Sequence, residues 1–193
     1  MSKTTGLFFG SFNPVHVGHM IIANYMATQT RLQEIWMVVT PQNPLKNKST
    51  LAGNYDRLHM VQSAIGDNER IRASKIEFDL PQPSYTVDTL AHLKEKYPQR
   101  NFALIMGSDN LATLHKWKNY EIILRDYQIF VYLRPDYPPG DLQNHKNVTL
   151  LHDVPLMQIS ASYIRKCLKS GHSVEYLVPD AVLKILENTN LYR

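Results

Sequence analysis

The chain has 193 residues, 44% hydrophobic and 20% charged, a balance that excludes a disordered or fibrous protein and fits an ordinary globular domain. Its 21 Lys and Arg against 17 Asp and Glu give a net charge of +4 with neutral histidines, a mild excess that favours anionic partners. The single Cys167 excludes an internal disulfide and a multi-cysteine zinc site. No apolar run approaches the ~20 residues that span a bilayer, so a cytoplasmic protein with no membrane segment is expected.

Residues 6–10 are a short apolar run ending in glycine, and residues 18–27 carry Met20, Ile21, Ala23, Tyr25 and Met26 at helical spacing. Strand, turn and helix follow in that order. A second buried strand spans 35–40, and the polar stretch 42–53 reads as a long loop of the kind that covers sites. A helix is expected over 55–65, with Tyr55, Leu58, Val61, Ala64 and Ile65 on its buried face, and an alternating strand over 70–80. The turn 81–84 leads to a helix over 86–96, a buried strand over 102–106, a helical region at 121–124 and a strand over 128–133. A Pro-rich loop at 135–140, a last strand at 147–151 and helices at 160–168 and 179–187 complete the chain. With no repeat or linker to split it, the alternation predicts one domain over residues 1–193, built on a parallel sheet covered by helices. In such sheets ligands bind beyond the carboxyl ends of the strands.

The most informative segment, GSFNPVHVGH at 10–19, joins the first strand to the first helix. If the helix begins near His16, then His16 and His19 lie one turn apart on one face, beside free backbone N–H groups that favour phosphate. Gly10 and Gly18 allow close approach to the main chain. Two histidines at this spacing can also ligate a metal, but no carboxylate or cysteine in the segment completes a shell, so no protein-built metal site is expected. There is no G-x-x-x-x-G-K-[ST] loop and no G-x-G-x-x-G fingerprint, so a nucleotide must be held another way.

The 10–19 segment resembles the H-x-G-H signature of the class I nucleotidyltransferases, and ISASYIR at 159–165 resembles their distal ISxTxIR motif. Within that superfamily the chain is most similar to the bacterial nicotinate-nucleotide adenylyltransferases. PQNPLK at 41–46 resembles their P-x-x-P-x-K loop, and Pro83, Ser84, Tyr85 and Thr86 their turn into a helix. Gly107, Ser108 and Asp109 with Trp117 resemble their G-x-D…W segment, and Arg134 with Pro135 their strand-terminal pair. The likeness covers residues 6 to about 192 and implies a Rossmann-like, doubly wound parallel α/β sheet with helices on both faces.

By this resemblance the protein transfers the adenylyl group of ATP to nicotinate mononucleotide, with Mg2+ carried on the ATP. His16, His19, Lys46 and Arg165 are the implied catalytic residues. Gly10, Ser11, Phe12, Gly18, Gly107, Asp109, Arg134, Ser160 and Ser162 are implied in ATP binding, and Asn13, Thr86, Trp117 and Lys118 in binding the mononucleotide. Trp117 would stack on the pyridine ring, and main-chain N–H groups of Thr86 and Lys118 would receive the carboxylate. Ser160 equally suits a plain helix cap. The chain departs from the family at Phe9, where Gly is frequent, at Leu45, commonly His, and at Ser162, commonly Thr. Scattered rather than clustered basic residues argue against nucleic-acid binding, and a homo-oligomer is left open.

Overall fold

The computed structural model describes residues 3–42 and 51–193. Six parallel strands lie in the order β3-β2-β1-β4-β5-β6. They are β1 (Thr4–Gly10), β2 (Glu34–Val39), β3 (Ile71–Ser74), β4 (Asn101–Gly107), β5 (Gln128–Tyr132) and β6 (Val148–Leu151). Successive residues of the central strands point to opposite faces, as a period of two requires. Phe8, Ile35, Met37, Ile105 and Phe130 join one core cluster, while Leu7, Trp36, Val38, Leu104 and Val131 join the other. Both faces are therefore buried, which explains why these strands read as continuous apolar runs.

One face is covered by α1 (Val17–Gln29), α2 (Asn54–Ile65), α6 (Ala161–Lys169) and α7 (Asp180–Glu187), and the other by α3 (Thr86–Lys96), α4 (Ser108–Thr113) and α5 (Tyr120–Asp126). The doubly wound arrangement expected from the sequence is the one observed. Among the described residues no helix is long and apolar enough to cross a membrane.

Three expectations are corrected. The strand foreseen over 70–80 ends at Ser74, because the Ile76 N–H turns to Ser74 Oγ at 3.4 Å and the Phe78 N–H closes a turn onto the Lys75 carbonyl at 2.9 Å. The buried side of α2 holds Leu58, Val61, Ala64 and Ile65 as foreseen, but Tyr55 is 67% exposed and Arg57 and Met60 face inward in addition. The helical region foreseen at 121–124 is the middle of α5, and it is preceded by α4 and a 3₁₀ turn at Leu114–Lys116. These two pieces are too short to show a helical period of their own. The expected loop over 42–53 lies largely outside the described residues.

Candidate active site

β1 is the strand at which the order reverses, with β2 on one side and β4 on the other. Connections from its two sides leave in opposite directions there and open a crevice above the carboxyl ends of β1 and β4. The first wall of that crevice is the loop from Gly10 to the start of α1. His16 stands at the cap position of α1 and His19 one turn in. Their rings stack with centroids 3.6 Å apart and planes 24° apart. His19 Nδ1 accepts the His16 backbone N–H at 3.2 Å. Phe12 and Phe8 meet the His19 ring edge-on from below, at 5.0 and 6.2 Å.

Glycine serves this loop differently from the sequence expectation of ligand approach. A Cβ on Gly18 would stand 3.1 Å from His16 Nδ1, and one on Gly10 would stand 2.7 Å from the Phe12 ring. Both glycines make room for the loop's own rings. Phe12 is 2% exposed and Asn13 4%, so what these two present to a ligand is main chain. The Asn13 side-chain oxygen accepts the Ala52 N–H at 3.0 Å and the Tyr192 hydroxyl at 2.6 Å.

The distal motif reaches the same place through α6. Arg165 donates to the Asn13 carbonyl at 2.8 Å and to Ser162 Oγ at 3.2 Å, joining residues 152 positions apart. Ser160 Oγ accepts the Tyr163 N–H at 3.1 Å, so this side chain caps α6.

On the β4 and β5 side, Arg134 Nη1 pairs with Asp109 Oδ2 at 2.8 Å, and the Arg134 backbone N–H donates to Ser108 Oγ at 2.9 Å. Asp109 Oδ1 is buried with no hydrogen-bond partner among the described residues. A side chain on Gly107 would collide with Asp109 Oδ1 and with Arg134 Cδ. The pair also reaches across to the first wall: burial, and after it the charge of Arg134, lowers the His16 pKa to about 4. His16 is therefore neutral at pH 7, and its buried Nδ1 has no partner among the described residues.

A second group lies at the start of α3. Thr86 is the first helical residue, so its N–H has no intrahelical acceptor. Lys118 Nζ pairs with both oxygens of Asp88, at 2.8 and 3.1 Å, and lies 4.9 Å from the centre of the Tyr85 ring. Trp117 is half-buried, packed on the α3–α5 core cluster yet partly open, as its lysine neighbours suggested. Lys46 falls outside the described residues.

Sequence reasoning passed over Arg57, Asp88 and Tyr192. An arginine on the apolar side of an amphipathic helix was the available signal for Arg57. Asp88 and Tyr192 meet their partners only through the tertiary fold.

The family model for cytidylyltransferase-like proteins matches residues 7–167. A Flavobacterium johnsoniae protein named "probable nicotinate-nucleotide adenylyltransferase" is 52% identical over 190 residues, covering 97% of this chain and 98% of its own. A Christiangramia forsetii protein of the same name is 47% identical over the full length of both. Among solved structures, Plasmodium falciparum nicotinic acid mononucleotide adenylyltransferase complexed with NaAD superposes with a TM-score of 0.84 at 21% identity. It covers 98% of this chain and 97% of that one, a likeness of fold.

Proposed function

The chain belongs to the nicotinate-nucleotide adenylyltransferase family, among the cytidylyltransferase-like proteins, and from that premise we propose how its residues divide the reaction. The enzyme transfers the adenylyl group of ATP to nicotinate mononucleotide, giving nicotinate adenine dinucleotide and pyrophosphate in NAD synthesis. The nucleophile is a phosphate oxygen of the mononucleotide, largely dianionic at pH 7 because its second pKa is ~6, so no general base is needed. That oxygen bonds to the α-phosphorus as the bond to the bridging oxygen breaks, and pyrophosphate leaves with the electron pair. The protein must align two polyanions and supply donors where charge builds.

The histidine pair does this in two ways. Because His19 Nδ1 accepts a backbone N–H, neutral His19 carries its proton on Nε2, a directed donor for the α-phosphate. His16 stays neutral, so the stacked rings avoid mutual repulsion and add a second polar edge. Arg165, already fixed on the histidine loop, supplies charge, and Lys46 is assigned to the same phosphates. With the Ser160 side chain occupied as a cap, the β- and γ-phosphates meet the free N–H groups of the first turn of α6 beside Ser162. Asp109, oriented by its pairing with Arg134, is assigned to a ribose hydroxyl, with Gly10, Ser11, Phe12, Gly18, Gly107 and Arg134 assigned to line the nucleotide.

For the other substrate, Trp117 stacks on the pyridine ring, and the main-chain N–H groups of Thr86 and Lys118 receive the carboxylate. Asn13 contributes through the loop it braces. A site that offers donors alone leaves the NH₂ of a nicotinamide unmatched, which favours nicotinate. Mg2+ arrives as part of the substrate, carried on the triphosphate with mostly water ligands. Among the described residues no group of three or more His, Cys, Asp or Glu is placed to hold an ion.

The observation that carries this assignment is the stacked His16–His19 pair at the carboxyl end of β1, with Arg165 tied to the same loop. The test supplies ATP with nicotinate or nicotinamide mononucleotide in parallel and follows pyrophosphate. Faster release with nicotinate is expected; no release with either overturns the reading.

A further inference from the structure

Arg57, in the first turn of α2, is completely buried. Its Nε donates to the Ala52 carbonyl at 3.1 Å, Nη1 to the carbonyls of Ser11 at 2.6 Å and Thr40 at 2.8 Å, and Nη2 to the Pro41 carbonyl at 3.2 Å and Asn54 Oδ1 at 2.7 Å. All five N–H groups of the guanidinium are used, which accounts for arginine where lysine offers three donors. Every one of these acceptors is neutral. Among the described residues Arg57 makes no ion pair, so its charge is left standing inside the protein. Burying a charge with no carboxylate beside it is costly even when it is fully hydrogen-bonded, and what it returns is five donors to oxygens that would otherwise lie buried without them.

The Ser11 contact gives that cost a purpose. Among the described residues the cis peptide bonds are Asn13-Pro14 and Gln82-Pro83, so the Ser11–Phe12 peptide is trans, and its C=O and N–H point in opposite directions. With the carbonyl held against Arg57, the Phe12 N–H faces away from α2. A hydrogen bond from a cation to the carbonyl also polarises the peptide and strengthens the N–H as a donor. Phe12 itself has φ of 44°, in the left-handed region that bulky side chains avoid, and its ring is locked between Gly10 and His19. The direction of this one N–H is thus fixed from both sides.

We propose that Arg57 is a positioning residue for adenylyl transfer, holding the Ser11–Phe12 peptide so that the Phe12 N–H donates to the triphosphate while its own charge backs that peptide from within. This role rests on the adenylyl-transfer reading above.

The test compares Arg57→Lys and Arg57→Met with the parent by kinetics, by calorimetric titration with a non-hydrolysable ATP analogue and with nicotinate mononucleotide, and by thermal melting. Arg57→Met is expected to lose about tenfold or more in ATP affinity or kcat, with Arg57→Lys intermediate and mononucleotide affinity within about twofold of the parent. A packing role alone lowers Tm without separating the two substrates. Folded variants whose ATP affinity and kcat stay within about twofold, or whose losses are equal for both substrates, overturn the proposal. If neither variant folds, amide NMR of the parent decides. The Phe12 N–H resonance should move downfield on adding the ATP analogue and stay in place with the mononucleotide; an unmoved resonance with the analogue overturns the role. Parental turnover alongside unaffected variants removes Arg57 alone, whereas a parent that releases no pyrophosphate removes the reading beneath it.

Discussion

His16 ties the acid stability of the protein to the geometry of the proposed phosphate site. Its side chain is 6% exposed, and burial together with the Arg134 charge lowers its pKa from 6.5 to about 4. The unfolded chain takes up this proton near pH 6.5 and the folded chain only near 4, so between those values acid favours unfolding. Stability is intact above about pH 6.5 and drains as the pH falls towards 4. A gap of about 2.5 pH units corresponds to about 3 kcal/mol in full and to about 2.5 kcal/mol by pH 4.5. Urea unfolding of the parent and of His16→Gln at pH 7, 5.5 and 4.5 measures it. The parent should lose about 2.5 kcal/mol more than the variant between the first and last of these values. Other acid-sensitive groups, Glu34 among them, are common to both proteins and cancel in the comparison. Curves that run parallel within about 0.5 kcal/mol would mean that the imidazole is not desolvated as the structure has it, and the neutral stacked pair would fall with it.

His19→Ala removes one directed donor and should lower kcat by about 100- to 1,000-fold while the protein still melts cooperatively; turnover within about threefold of the parent contradicts the role. Trp117→Ala should raise KM for the mononucleotide by roughly 5- to 150-fold, the worth of a stacked ring, and leave KM for ATP nearly unchanged. Equal effects on both constants would make Trp117 a packing residue. Asp88→Asn removes a negative charge beside the proposed carboxylate subsite and frees the Lys118 ammonium, so KM for nicotinate mononucleotide should fall roughly twofold with that for the nicotinamide form unmoved; a rise contradicts the placement. Glu34, buried at the opposite ends of the strands, holds Lys3, Arg72 and Arg100 at 3.4, 2.6 and 2.6 Å. Burial alone would raise its carboxyl, but the Arg100 hydrogen bond and the neighbouring positive charges outweigh that and keep it below the usual range. Glu34→Gln should cost about 2–3 kcal/mol in urea unfolding at pH 7, with no change in KM for either substrate.

The continuous apolar runs around Leu7, Val38, Leu104 and Val131, alternating along the chain with helical segments, are enough to announce a parallel sheet buried on both faces, because a strand covered on both sides has no polar face to show. GSFNPVHVGH likewise announces a cap residue and its partner one turn later, which need only local geometry, whereas the roles assigned to the distal ISASYIR rest on its resemblance to the family. The order of the strands, the reversal at β1 and the meeting of Asn13 with Arg165 across 152 positions were decided by packing, since no local preference reaches that far. The same holds for the depressed pKa of His16, which comes from the burial and the Arg134 charge that the assembled crevice provides. Gly18 and Gly10 were legible as places of close approach to the main chain, but that the approaching groups are the His16 and Phe12 rings and not a ligand was not, because a missing side chain carries no sign of what fills its space. Arg57 shows the limit most directly. A cation on the apolar side of a helix contradicts the amphipathic pattern, and only carbonyls brought from Ser11, Thr40, Pro41 and Ala52 by the tertiary fold make that position habitable.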